Sequence, residues 1–151
     1  MVIKTERLII HTASEDEMRS IIAKQTDAEL IEAYSEMLKA CLDHREDWHW
    51  YATWMIELKS GAHIGDLCFK GLNNDGSVEI GYGITEENQG CGYATEAVEA
   101  VVDWALNQPD VYRVVAESDS ENKQSQRVLE KCGFISSGII GEEGLQFYKE
   151  K

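Results

Sequence analysis

The residues best placed to do chemistry are Gln89-Gly90-Cys91-Gly92-Tyr93-Ala94-Thr95, between an extended-looking segment and a strongly periodic helix. Small residues in a row let backbone N–H groups converge on an anion, and the following helix adds unpaired amides and the positive end of its dipole. This spacing suits a pyrophosphate-bearing cofactor. Cys91 stands at the helix start, where a thiol loses its proton more readily, but no His or Asn is tied to it by any local pattern to make it a nucleophile.

A second set of residues precedes the loop. In Val78-Glu79-Ile80-Gly81-Tyr82-Gly83-Ile84, residues Val78, Ile80, Tyr82 and Ile84 share one strand face, and Glu79, Gly81 and Gly83 share the other. Two glycines on one face weaken a strand, so either a ligand comes close there or the strand needs a bulge.

These groups must be held by the surrounding elements. Arg7-Leu8-Ile9-Ile10-His11 reads as a first strand, and Ser14 with Glu17 reads as a capping box opening a helix to about Lys24. A second helix starts near Asp27, with Leu30, Tyr34, Met37, Leu38, Cys41 and Leu42 at helical spacing. Trp48 to Lys59 is aromatic and β-branched, turns at Ser60-Gly61 into Ile64 to Phe69, and so predicts a hairpin. Asn73-Asn74-Asp75-Gly76 turns into the glycine-bearing strand.

After the loop, Ala94, Ala97, Val98, Val101, Val102, Ala105 and Leu106 form an apolar stripe that ends before Pro109. Arg113 to Ala116 predicts a short buried strand, Asn122 to Lys131 a helix stopped at Gly133, and Phe134–Gly141 and Leu145–Lys149 two closing strands. The order predicts a single α/β domain over residues 1–151, with about seven strands in a mixed, mostly antiparallel sheet and helices on both faces.

Charge and composition bound the partners. A net charge of −14 argues against nucleic acid, fits an amine-bearing acceptor, and serves solubility equally well. No membrane span or signal-like stretch is visible, and the four cysteines form neither a CxxC pair nor a metal-ligand spacing. The chain therefore reads as a cytoplasmic protein with no metal site. A Rossmann site is a poor match, because Thr95 replaces the last small residue and the loop follows antiparallel-looking strands. A Walker loop lacks its Gly-Lys-Ser/Thr.

Four motifs in order, Lys4-Thr5-Glu6-Arg7-Leu8, Glu79-Ile80-Gly81-Tyr82, the loop Gln89 to Thr95, and Asn122 through Ser125 to Gly133-Phe134, resemble the GNAT superfamily of coenzyme A-dependent N-acetyltransferases. The chain looks most like the branch containing ribosomal-protein alanine N-acetyltransferases. The resemblance covers nearly the whole chain. It implies that the strands at Val78–Ile84 and Arg113–Ala116 splay apart around acetyl-CoA, with the pyrophosphate on Gln89, Gly90, Cys91, Gly92, Tyr93, Ala94 and Thr95. The backbone near Ile84 would then meet the pantetheine arm.

The same resemblance suggests Glu79 as general base, acting through water, and Ser125 as the acid beside the sulfur. Many relatives carry a tyrosine where this chain has Leu129, and that departure removes the commonest proton donor. Tyr82 is a fallback hydroxyl. Asn122 would bond the pantetheine arm while also capping its helix, and Arg127 or Lys123 would meet the adenosine phosphates or lie on a solvated helix face. The acceptor would be a peptide or small-molecule primary amine, and the protein a monomer or homodimer. A non-catalytic acyl-CoA-binding module is the competing reading.

Overall fold

Capping chemistry starts the first helix where the sequence predicts it. In the computed structural model, which describes residues 1–151, the Ser14 hydroxyl accepts from the Glu17 amide and the Glu17 carboxylate accepts from the Ser14 amide, both at 3.1 Å. This launches α1 (Glu15–Lys24), and Asp27 caps α2 (Ala28–Asp43). The two helices pack together over a small cluster of Ala13, Met18, Leu38, Cys41 and Ala52.

The sheet has eight strands: β1 (Val2–Lys4), β2 (Leu8–Thr12), β3 (Thr53–Leu58), β4 (His63–Leu72), β5 (Ser77–Ile84), β6 (Arg113–Ser118), β7 (Ile135–Ile140) and β8 (Leu145–Glu150). Their spatial order is β1-β2-β3-β4-β5-β6-β8-β7, and only β5 and β6 run parallel. The expected count of seven is corrected by β1, a three-residue edge strand that pairs Val2 with His11 and Lys4 with Ile9. It is too short to show an alternating pattern.

A second correction concerns Trp48 to Lys59. Its aromatics suggest one long strand, but Trp48–Tyr51 forms a short helix, α3, before β3 begins. The bend serves burial and hydrogen bonding together: Trp50 enters the core, and the Trp48 indole N–H donates to the Ala13 carbonyl at 2.8 Å.

The main core lies between the sheet and α4 (Tyr93–Leu106), whose Ala97, Val98, Val101, Val102 and Ala105 are fully buried. Trp50, Trp54, Phe69 and Trp104 pack edge-on or tilted, with centroids 5.1 to 6.3 Å apart. Helix α5 (Lys123–Lys131) sets Leu129 into the same core.

The pairing of β5 with β6 is partial. Register pairing between β5 and β6 covers Ser77↔Arg113, Val78↔Val114 and Glu79↔Val115 and then stops, although β5 continues to Ile84 and β6 to Ser118. The sheet forks immediately after Glu79.

Candidate active site

The glycine loop lies at the open end of this fork. Gly90 and Gly92 both have left-handed backbones, with φ of 78° and 82°, and Gly92 is the N-cap of α4. These two conformations turn the chain so that the N–H groups of Gly90 through Thr95 donate to no carbonyl and no side chain. The first amides of a helix are always orphaned, and the glycines extend that run backwards into the loop.

The N-terminal motif braces the cradle. Arg7 Nε donates to Glu96 Oε1 at 2.7 Å, its Nη1 donates to the Cys91 carbonyl at 2.9 Å, and its guanidinium lies 4.5 Å over the Tyr93 ring. The Arg7 amide and Thr5 hydroxyl also donate to Glu96. Desolvation pushes the Glu96 carboxyl up, but the bonds from Thr5 and Arg7 outweigh it and hold the group below the usual glutamate range. The spacing Thr5-x-Arg7 thus fastens the chain start to the first turn of α4.

A cleft of about 430 Å³ runs from the cradle into the fork, within the range of small-ligand sites. Tyr82, Gly83 and Ile84 of β5 form one wall. Asn122, Gln124, Ser125, Arg127, Val128 and Lys131 form the other. Gln89, Gly90, Gly92, Tyr93, Ala94 and Thr95 close the cradle end together with Asn88.

Most of the residues singled out in the sequence therefore meet in one place. Gln89 turns its side-chain amide onto the Ile84 carbonyl at 2.9 Å, tying the loop to the end of β5. Asn122 accepts from the Ser125 amide at 3.0 Å as a helix cap, while its Nδ2 has no partner in the chain. Cys91 lies outside the cleft lining, exposed, with its thiol 3.7 Å from the Gln89 carbonyl, and only its backbone belongs to the cradle.

Lys131, which also lines the cleft, was missed by sequence reasoning. Its spacing of four from Arg127 puts both cations on one helix face and was the available signal. Lys123 is not in the lining. Leu129 is fully buried in the core, so the residue standing at the tyrosine position does not reach the cleft.

Glu79 lies on the opposite face of the sheet from Val78 and Ile80, which are in the core. A bulge in β4 sets Lys70 and Gly71 across from it, with Gly71 at φ 86°. Lys70 Nζ bonds Glu79 at 2.8 Å and Glu143 of the β7–β8 turn at 2.8 Å. Desolvation lowers the Lys70 ammonium, but the two carboxylates more than offset it, and its pKa lies above the ordinary lysine value. Gly81 and Gly83 follow on the same face, and a Cβ at Gly83 would meet nothing within 4 Å. Gly83 also lines the cleft, so the glycine-bearing face of β5 borders the open end of the fork while Glu79 stands at its root.

The forked sheet has the fold of solved acetyltransferases. The chain superposes on RimL, a ribosomal L7/L12 alpha-N-protein acetyltransferase in complex with coenzyme A, with a TM-score of 0.77 and 18% identity, covering 99% of this chain and 98% of the other. It superposes on a spermidine N-acetyltransferase from Vibrio cholerae in complex with CoA and spermine with a TM-score of 0.74 and 18% identity, covering 97% and 96%. The acetyltransferase (GNAT) domain model matches residues 5–135, and the chain belongs to that family.

Among curated sequences it is 34% identical over 87 residues to an uncharacterized N-acetyltransferase, YjdG, of Bacillus subtilis, covering 56% of this chain and 52% of that one. The chain spans about half the length of the curated relatives it matches first.

Proposed function

We propose that this chain is a cytoplasmic acetyl-CoA-dependent N-acetyltransferase that passes the acetyl group directly to a primary amine, with no covalent enzyme intermediate. The observation that carries the reading is the fork: a run of unpaired amides at one end and a carboxylate at its root on the other face. Acetyl-CoA supplies an activated acyl group on a thiolate leaving group. Everything else is asked of the chain's own residues.

In this reading the amides of Gly90 to Thr95 hold the diphosphate, with Arg127 and Lys131 as local cations in a molecule whose net charge would otherwise repel it. Asn122 Nδ2 and the parted β5 backbone near Ile84, which lacks pairing with β6 and whose Ile84 carbonyl accepts from the Gln89 side chain, bind the pantetheine amides. Glu79 takes the amine proton through water, its carboxylate held in place by the Lys70 ammonium at 2.8 Å. Ser125, on the facing wall, donates to the sulfur.

For the acceptor, a protein N-terminus and a polyamine are the two classes favoured. A ribosomal-protein-serine acetyltransferase of Escherichia coli is 29% identical over 91 residues, covering 60% of this chain and 51% of that one. The acidic side chains of Glu79 and Glu143 suit either ammonium group.

The competing reading, a binding module without turnover, rests on the buried Leu129 and on the Lys70 pair that occupies Glu79. Thiol release from acetyl-CoA across N-terminal peptides, spermidine and amino sugars separates the two. Turnover on any amine, with its loss in Glu79→Gln, supports the enzyme; tight acetyl-CoA binding with no turnover on any of them supports the module.

A further inference from the structure

A serine hydroxyl carries one proton, so what it can do for a leaving group depends on where that proton points. Ser125 shares the cleft with Tyr82, whose phenolic oxygen lies 3.0 Å from Ser125 Oγ and 3.3 Å from the Ser125 carbonyl. Two arrangements fit these distances. If Tyr82 donates to the carbonyl, Ser125 spends its own proton on Tyr82 and offers the cleft only lone pairs. If Tyr82 donates to Oγ, the Ser125 proton is free to point into the cleft.

The Oγ contact is the shorter of the two and is closer to the usual O–H···O length. Burial raises the Tyr82 pKa above its ordinary value, against the opposing effect of the Ser125 bond, so the phenol keeps its proton near neutrality. Tyr82 is anchored on β5, its ring packed on the core, while Ser125 rides on α5. The pair spans the two walls of the fork.

We propose that Tyr82 is a positioning residue that aims the Ser125 O–H at the sulfur of the bound thioester. The inference rests on the acetyl-transfer reading above and deepens it. When the amine lone pair forms the new C–N bond, the C–S bond breaks and sulfur keeps its electron pair. The Ser125 O–H donates a hydrogen bond to that thiolate, and Tyr82 donates to Ser125 Oγ throughout. The proton shed by the amine leaves through Glu79 and water, and solvent protonates the released thiolate, so Tyr82 and Ser125 end the cycle as they began.

The test is a double-mutant cycle on kcat with acetyl-CoA and whichever amine the wild type turns over, with rates taken per acetyl-CoA site titrated by calorimetry. Tyr82→Phe is expected to lower kcat about tenfold, the worth of one oriented hydrogen bond, with acetyl-CoA Kd and amine KM within about twofold. In the Ser125→Ala background the same change should cost nothing, because the hydroxyl it orients is gone. A ring-fluorinated tyrosine at 82 keeps the shape and the donor and should retain kcat, which controls for packing lost with phenylalanine. Full kcat in Tyr82→Phe, or equal losses with and without Ser125, would overturn the assignment while leaving acetyl transfer intact. A wild type that binds acetyl-CoA but acetylates no amine would overturn both.

Discussion

The cradle and the face proposed for the acceptor differ in how they are held. The amides of the cradle are presented by main-chain geometry over adjacent residues, two left-handed glycines and a helix start, and a single distant side chain, Arg7, braces them through the Cys91 carbonyl and Glu96. The acceptor face is held by side chains far apart in sequence. Lys70 reaches Glu143 across 73 positions, and Glu117 accepts from the Glu143 amide at 2.9 Å, fixing the β7–β8 turn. A cradle of amides suits a ligand part that never varies. A face of adjustable side chains suits the part that does.

Breaking the cradle should therefore have the largest effect and the acceptor face a more selective one. Gly92→Val forces a β-branched residue to φ 82° and brings its Cβ to 3.3 Å from Arg7 Nη2, with the branch atoms crowding the anion site. Calorimetry should show acetyl-CoA affinity lowered at least ~100-fold, with a loss of stability on the order of 1–3 kcal/mol. Retained affinity would mean that the glycine loop is not the phosphate site.

Next in size is Glu79→Gln. It should lower kcat roughly 10²-fold or more, as loss of a general base does, while acetyl-CoA Kd stays unchanged. A parallel loss of cofactor affinity would show that the two regions are not separable. Lys70→Met should act on the acceptor side alone, changing amine KM roughly threefold by releasing Glu79 and Glu143, with cofactor binding untouched.

The smallest effect belongs to pH. Because the Glu96 carboxyl is held below its unfolded value of ~4.3, its brace is fully present above that pH and is lost as pH falls through the depressed folded value. Urea unfolding at pH 6 and below pH 4 should show wild type losing up to ~0.5 kcal/mol more than Glu96→Gln over that interval. Equal losses would remove Glu96 from the account.

The same division explains what the sequence disclosed. Glycines, caps and the apolar stripe of α4 are local signals, so the loop, both capped helices and the order of the longer elements, though not β1 or α3, are legible in the sequence. The fork was implied only by resemblance, since nothing in Val78–Ile84 alone says where pairing with β6 must end. The Lys70 bridge depends on a bulge at Gly71, and the Tyr82–Ser125 pair depends on a tertiary approach across 43 positions; neither has a local pattern. Trp48–Tyr51 was misread as strand because aromatics favour sheets, whereas here tertiary burial sets the local conformation.

The central claim is that main-chain amides at the start of α4 hold the diphosphate. Titrating coenzyme A into ¹⁵N-labelled protein and following each amide by NMR tests it most directly. The account predicts that the resonances of Gly90, Cys91, Gly92, Tyr93, Ala94 and Thr95 move most and saturate together, at the affinity measured by calorimetry. Saturable binding with those amides unmoved and the largest shifts elsewhere would contradict it.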